Sequence, residues 1–191
     1  MTNYLEIIAV ILSLIYLFLL MQEKIACWFF GIASSIVSIS IFYSIGLYSE
    51  SLLYVYYIII GIYGYRLWYK KKNNTPLKVK KISNTNHFII LILGSLTALL
   101  TGYFFDIHTN AVNPYLDAFT TIFSIITSYL EAKKVLSAWV FWIFINAATI
   151  ILYLQQDLSY YLLFTVIYLI FSFLGYFKWR KSFSKKLTTD F

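Results

Sequence analysis

Trp139, Trp142, Asn146, Thr149 and Tyr153 recur at steps of three and four, the spacing that sets side chains on one face of a helix. Indole faces attract cations, each contact contributing about 0.5–2 kcal/mol according to desolvation, and a buried amide needs hydrogen-bond partners in a medium without water. Such a face suits a planar, positively charged heterocycle, with Trp142 stacked on the ring and Asn146 bonded to a polar edge. Comparable rows occur elsewhere: Trp28, Gly31, Ser35, Ser38 and Phe42; then Glu50, Tyr54, Tyr57 and Gly61; then Tyr161, Thr165, Tyr168 and Ser172. The candidate substrate contacts are Trp142, Asn146, Trp139, Tyr54, Tyr57, Tyr168, Trp28 and Ser35. Small and hydroxyl residues also serve close helix packing in membranes, so Ser35, Ser38, Thr165 and Ser172 read first as packing. Trp28 and Trp139, near helix starts, fit an interfacial belt or a gate equally well.

The remaining polar residues narrow the chemistry. Glu6, Glu50 and Asp117 fall near the outer ends of their helices, where a solvated vestibule accounts for them. Glu6 and Asp117 offer a second reading, as a pair gathering cations at an outer mouth. Glu131, beside Lys133 and Lys134, reads as a surface charge; Trp68 and Trp179, beside Lys and Arg, read as belt residues. His87 and His108 stand at opposite ends of one helix and cannot ligate one metal, and the lone Cys27 in an apolar run excludes a disulfide framework. No GxxxxGK[ST] phosphate loop is present. Catalytic residues, metals and cofactors are therefore not expected.

Seven apolar runs must position these residues, at roughly 5–22, 25–45, 50–69, 88–105, 114–132, 137–155 and 160–179, each near the ~20 residues that cross a bilayer. With 61% hydrophobic and 12% charged residues and a mean hydropathy of +0.76, the chain exceeds what a soluble core of this length hides. The first run is no removable signal peptide, since it lacks a basic start and carries Glu6. The net charge of +7 belongs to topology rather than nucleic acid. Numbering connections alternately, Lys24, Arg66, the 70–81 lysines, Lys133, Lys134 and the tail from Lys178 to Lys186 share one side. Cytoplasmic loops are enriched in Lys and Arg, so the N-terminus is expected outside and the C-terminus inside.

An offset of 111 residues, the interval from Trp28 to Trp139, aligns the chain with itself without a gap. Tyr4-Leu5-Glu6 falls on Tyr115-Leu116-Asp117, Ser13 on Ser124, Tyr57 on Tyr168, Gly64-Tyr65 on Gly175-Tyr176, and Trp68 on Trp179. A three-helix unit reverses side, and the fourth helix restores direction. The expected fold is an all-α polytopic membrane protein with two parallel three-helix repeats joined by a linker helix (3+1+3), a layout that places substrate near the midplane. The segments are 1–69, the first repeat; 70–113, a basic linker with helix 88–105 and an outer loop; 114–180, the second repeat; and 181–191, a basic tail. A transporter is the leading class. A membrane sensor or anchor is the alternative, though no soluble domain is evident to carry a signal. Without an ionisable relay at the midplane, facilitated diffusion is the expected mode.

These residues resemble the PnuC family of bacterial vitamin transporters. The matching stretches are Ala26-Cys27-Trp28-Phe29-Phe30-Gly31-Ile32-Ala33-Ser34-Ser35, Gly46-Leu47-Tyr48 leading to Tyr56-Tyr57, Gly61-Ile62-Tyr63-Gly64-Tyr65, Trp139-Val140-Phe141-Trp142 with Asn146, and Gly175-Tyr176-Phe177-Lys178-Trp179. The resemblance implies a fold akin to full-length SWEET transporters and a homotrimer in the bacterial inner membrane. It also implies facilitated diffusion with the vitamin trapped by a cytoplasmic kinase, and Trp139, Trp142 and Asn146 in the substrate pathway. Members divide among nicotinamide riboside, thiamine and riboflavin. Tyr54 stands where nicotinamide riboside members tend to carry Gln, which leans the expectation toward the PnuT-like thiamine branch, with nicotinamide riboside as the alternative.

Overall fold

The computed structural model describes residues 2–44, 48–70, 77–109, 113–155 and 159–189. Among them the chain forms seven α-helices: α1 (Thr2–Met21), α2 (Cys27–Ser44), α3 (Tyr48–Tyr69), α4 (Asn84–His108), α5 (Pro114–Ala132), α6 (Ala138–Gln155) and α7 (Ser159–Thr189). They divide into two compact units, Met1–Lys78 and Val79–Phe191. Tyr4–Met21, Asn84–His108, Ala138–Gln155 and Leu162–Lys185 are long and apolar enough to cross a bilayer, and Cys27–Ile41 is a shorter apolar stretch. The seven runs read from the sequence all become helices, but α3 and α5 spend many positions on Tyr, Ser and Thr, so length and apolarity single out fewer. α7 continues as helix to Thr189, through the segment expected to be a separate basic tail; no Gly or Pro interrupts 176–189. Gly46, Leu47, Lys71, Lys72 and Pro76 lie outside the described residues.

In the first unit α2 packs against both α1 and α3. Large apolar side chains such as Ile7, Ile11, Phe18, Phe29, Ile36, Leu52 and Ile59 face outward, whereas Ser34, Ser35, Ser38 and Ser51 are buried. That inside-out distribution belongs to helices solvated by lipid, where association relies on close approach and hydroxyl bonds. The Ser13 and Ser34 hydroxyls bond each other at 2.6 Å, and each lies within hydrogen-bond reach of the Ala9 carbonyl, tying α2 to α1.

In the second unit α4, α5, α6 and α7 pack in succession. Gly94, Ala98 and Gly102 form a buried stripe on α4. A Cβ at Gly94 would stand 2.9 Å from the Phe123 ring, and one at Gly102 2.8 Å from Tyr115, so α4 reaches α5 only because these positions are bare. The linker also belongs to this unit: the Lys80 N–H donates to the Lys134 carbonyl, and the Leu136 N–H donates to Lys80. Val79 and Val135 are buried at this pairing. The Ser83 hydroxyl accepts from the Asn86 N–H and caps α4.

The 111-residue correspondence extends to the backbone. Glu23 and Lys134, equivalent positions in the α1–α2 and α5–α6 turns, both adopt positive φ, at 57° and 52°. Lys24 donates to Leu19 as Val135 does to Leu130; Cys27 donates to Lys24 as Ala138 does to Val135; Trp28 donates to Ile25 as Trp139 does to Leu136. A left-handed residue without a glycine costs roughly 1–2 kcal/mol. Its recurrence at both sites marks one turn used twice.

Candidate substrate site

The most concentrated polar set lies where α5, α6 and α7 of the second unit meet. Glu131, in the last turn of α5, is only 2% exposed. The Trp142 indole N–H donates to its Oε2 at 2.6 Å, joining α5 to α6. The surface-charge expectation for Glu131 is therefore corrected. The sequence places lysines beside it, but helix geometry turns its side chain toward α6, and the Lys80 pairing packs a further strand of chain against the turn that follows. An acid at the centre of a spanning helix costs about 2.5–3.5 kcal/mol on insertion scales; a position near the helix end and a charge-assisted hydrogen bond both reduce that cost.

One turn further along α6, Asn146 is 8% exposed and its amide donates to the Ser172 hydroxyl on α7 at 3.1 Å. Ser172 in turn donates to the Tyr168 carbonyl at 2.8 Å. Trp142 and Asn146 thus lie close on one helix but engage opposite neighbours, α5 and α7. The expectation of one shared face holds for their position and not for their partners. Trp142 is half-buried, and among the described residues no aromatic ring stacks on it. Thr149 is spent on its own helix, donating to the Ile145 carbonyl. Ser172, read first as packing, and Glu131 are the two site members that residue-by-residue reading missed.

The first unit supplies the comparison that would have found them. At the 111-residue offset, Thr127, Glu131, Trp142, Asn146 and Ser172 correspond to Tyr16, Leu20, Gly31, Ser35 and Gly61. Ser35 is buried and bonds back to the Gly31 carbonyl at 2.8 Å, a packing arrangement. A Cβ at Gly31 would stand 2.9 Å from the Tyr16 ring, and one at Gly61 2.8 Å from Ile32. Where the first unit closes its helices on glycine, the second holds an indole, a carboxylate and an amide. The scaffold is shared; the chemistry sits in one copy.

The other tryptophans are shared. Trp28 lies edge-on to Trp68 with centroids 5.3 Å apart, and Trp139 edge-on to Trp179 at 5.4 Å. A Cβ at Gly64 would collide with the Trp28 ring, and one at Gly175 would stand 2.5 Å from that of Trp139. Each ring fills a socket that only glycine leaves open. Trp28 and Trp139 are 2% and 1% exposed, and their indole N–H groups have no hydrogen-bond partner among the described residues. Trp68 and Trp179, at 7% and 0% exposed, are not the lipid-facing belt expected from their basic neighbours; the helix turns them inward onto the partner ring.

Of the remaining candidates, Tyr54 and Tyr57 on α3 are half-buried and meet edge-on at 5.7 Å, and Tyr168 is half-buried on α7. At the expected vestibule, Glu6 is exposed and Asp117 half-buried, while the Glu50 and Tyr161 side chains lie outside the described residues. His87 and His108 occupy the two ends of α4.

A family model described as nicotinamide mononucleotide transporter matches residues 3–181. Among named relatives, the nicotinamide riboside transporter PnuC of Escherichia coli is 23% identical over 180 residues, covering 81% of this chain and 75% of that one. The protein of the same name in Neisseria mucosa is 23% identical over 193 residues, covering 94% and 73%. The crystal structure of the vitamin B3 transporter PnuC superposes with a TM-score of 0.78 at 22% identity, over 96% of this chain and 83% of that one, a likeness of fold. With the match running through every helix of both units, this chain belongs to the nicotinamide mononucleotide transporter family of membrane proteins.

Proposed function

We propose that this chain carries nicotinamide riboside, an aromatic cation, inward across a bacterial cytoplasmic membrane by facilitated diffusion. The observation that carries the reading is the aromatic and polar set confined to the second unit: Trp142 held by Glu131, and Asn146 held by Ser172. Trp142 supplies a face for the ring and Asn146 a polar edge. Tyr168, half-buried on α7 of the same unit, completes the pathway. Glu6, Glu50 and Asp117 attract the cation at the outer mouth.

The substrate choice departs from the thiamine lean. The E. coli and N. mucosa relatives are nicotinamide riboside transporters by name. Tyr54, the residue behind the lean, is already in ring contact with Tyr57. In this reading two parallel repeats flank α4 in a 3+1+3 arrangement, with the N-terminus outside and the C-terminus in the cytoplasm. The protein works as a homotrimer, and a cytoplasmic kinase traps the imported vitamin without a stable complex. Calorimetric titration of the purified protein with nicotinamide riboside, thiamine and riboflavin tests it. Saturable binding of the riboside, weakened about ten-fold in Trp142→Ala, is expected. Tighter binding of thiamine would reinstate that vitamin as the substrate.

A further inference from the structure

We propose that Glu131 makes the Trp142 platform selective for a positively charged ring over a neutral ring of the same shape. The inference rests on the reading that Trp142 meets the substrate, and it assigns to that site the residue that decides charge. The argument begins with what Glu131 is not needed for. Its equivalent in the first unit is Leu20, fully buried at the same point of the same turn. The Leu20 carbonyl accepts from the Glu23 N–H just as the Glu131 carbonyl accepts from the Lys134 N–H. The first unit closes the same turn with an aliphatic side chain, so its backbone geometry does not depend on an acid.

At the position that Trp142 holds on the next helix, the first unit has Gly31. The carboxylate and the indole arrive together, and they bond at 2.6 Å. The indole N–H lies at the positive rim of the ring, and a carboxylate there does two things. It fixes the ring's rotation, because a charge-assisted bond is short and directional. It also sets a negative charge in the ring plane, which deepens the attraction of both π faces for a cation. Water would screen such a charge, but at 2% exposure screening is weak. Trp142 is half-buried, so part of its ring remains accessible to a ligand.

The test uses the full-length protein in detergent and two ligands, cationic nicotinamide riboside and its reduced dihydropyridine form, nearly the same shape and uncharged. Wild type should bind the cation at least about ten-fold more tightly than the neutral form. Glu131→Gln keeps an oxygen to accept the indole N–H and removes the charge. It should weaken the cation about ten-fold, leave the neutral form within about two-fold, and so collapse the ratio. Trp142→Phe, which keeps a ring but loses the N–H, should lower the same ratio and serves if Glu131→Gln fails to assemble. A wild-type ratio near one, an unchanged ratio in either variant, or equal weakening of both ligands by Glu131→Gln overturns the proposal and leaves the riboside reading standing. Wild type that binds neither riboside, or Trp142→Ala that binds the cation normally, overturns that reading and this inference with it.

Discussion

The Asn146 amide donates to the Ser172 hydroxyl at 3.1 Å, between α6 and α7, and the equivalent positions of the first unit are Ser35 and Gly61. The bond therefore belongs to one copy only, and its loss should register in function as well as in stability. Asn146→Leu removes the amide from the proposed ligand contact and should weaken substrate binding by about 1–3 kcal/mol. Calorimetry after gel filtration confirms whether the protein measured is folded. Ser172→Gly, which installs the first unit's residue, should cost less binding and chiefly lower the unfolding temperature. Normal affinity in folded Asn146→Leu would move the site toward Tyr54, Tyr57 and Tyr168.

The tryptophan sockets predict the opposite pattern. Enlarging Gly64 or Gly175 to Leu forces the Trp28 or Trp139 ring out of its place, and overpacking of this kind costs typically about 1–3 kcal/mol. Both variants should unfold at lower temperature in detergent, by similar amounts because the sockets are alike. The folded fraction should bind substrate as wild type. A binding defect in Gly175→Leu without a stability defect would make Trp139 a substrate contact rather than a packing element.

The one-sided distribution of Lys and Arg predicts a cytoplasmic C-terminus. A fluorescent protein fused after Phe191 should glow, and a periplasmic phosphatase fused there should remain inactive. The reverse pair of results would place the C-terminus outside and overturn the expected orientation.

Transport is expected to be passive. In proteoliposomes, labelled nicotinamide riboside should equilibrate without a proton or sodium gradient and should not accumulate beyond equilibrium. Accumulation driven by a proton gradient would direct attention to Glu131 and Asp117 as coupling groups.

Much of the scaffold was legible in the sequence, because it depends on local apolar length and on residues that leave little choice. Helical runs, the offset between Trp28 and Trp139, and the glycines opposite them are readable by type and spacing. What was not readable is direction. Trp68 and Trp179 stand beside basic residues, and only packing reveals that their rings turn inward. Glu131 looked like surface because its chain neighbours are lysines. Its side chain turns to α6, where Trp142 bonds it, and the turn that follows it pairs with Lys80 across more than fifty residues of chain. Trp142 and Asn146 shared a face on the helical wheel, yet a helix with neighbours on both sides sends close side chains to different partners.

The exchange of Tyr16 and Gly31 for Thr127 and Trp142 constrains the history of the chain. A Cβ at position 31 would stand 2.9 Å from the Tyr16 ring, so an indole there requires that ring to move. If the two units descend from one ancestor, the path between them that avoids this clash passes through the small–small combination, threonine with glycine. Such an intermediate would hold a hollow between its first two helices where each present unit has a ring. On that path an opening in the bundle came before the residues that now furnish it.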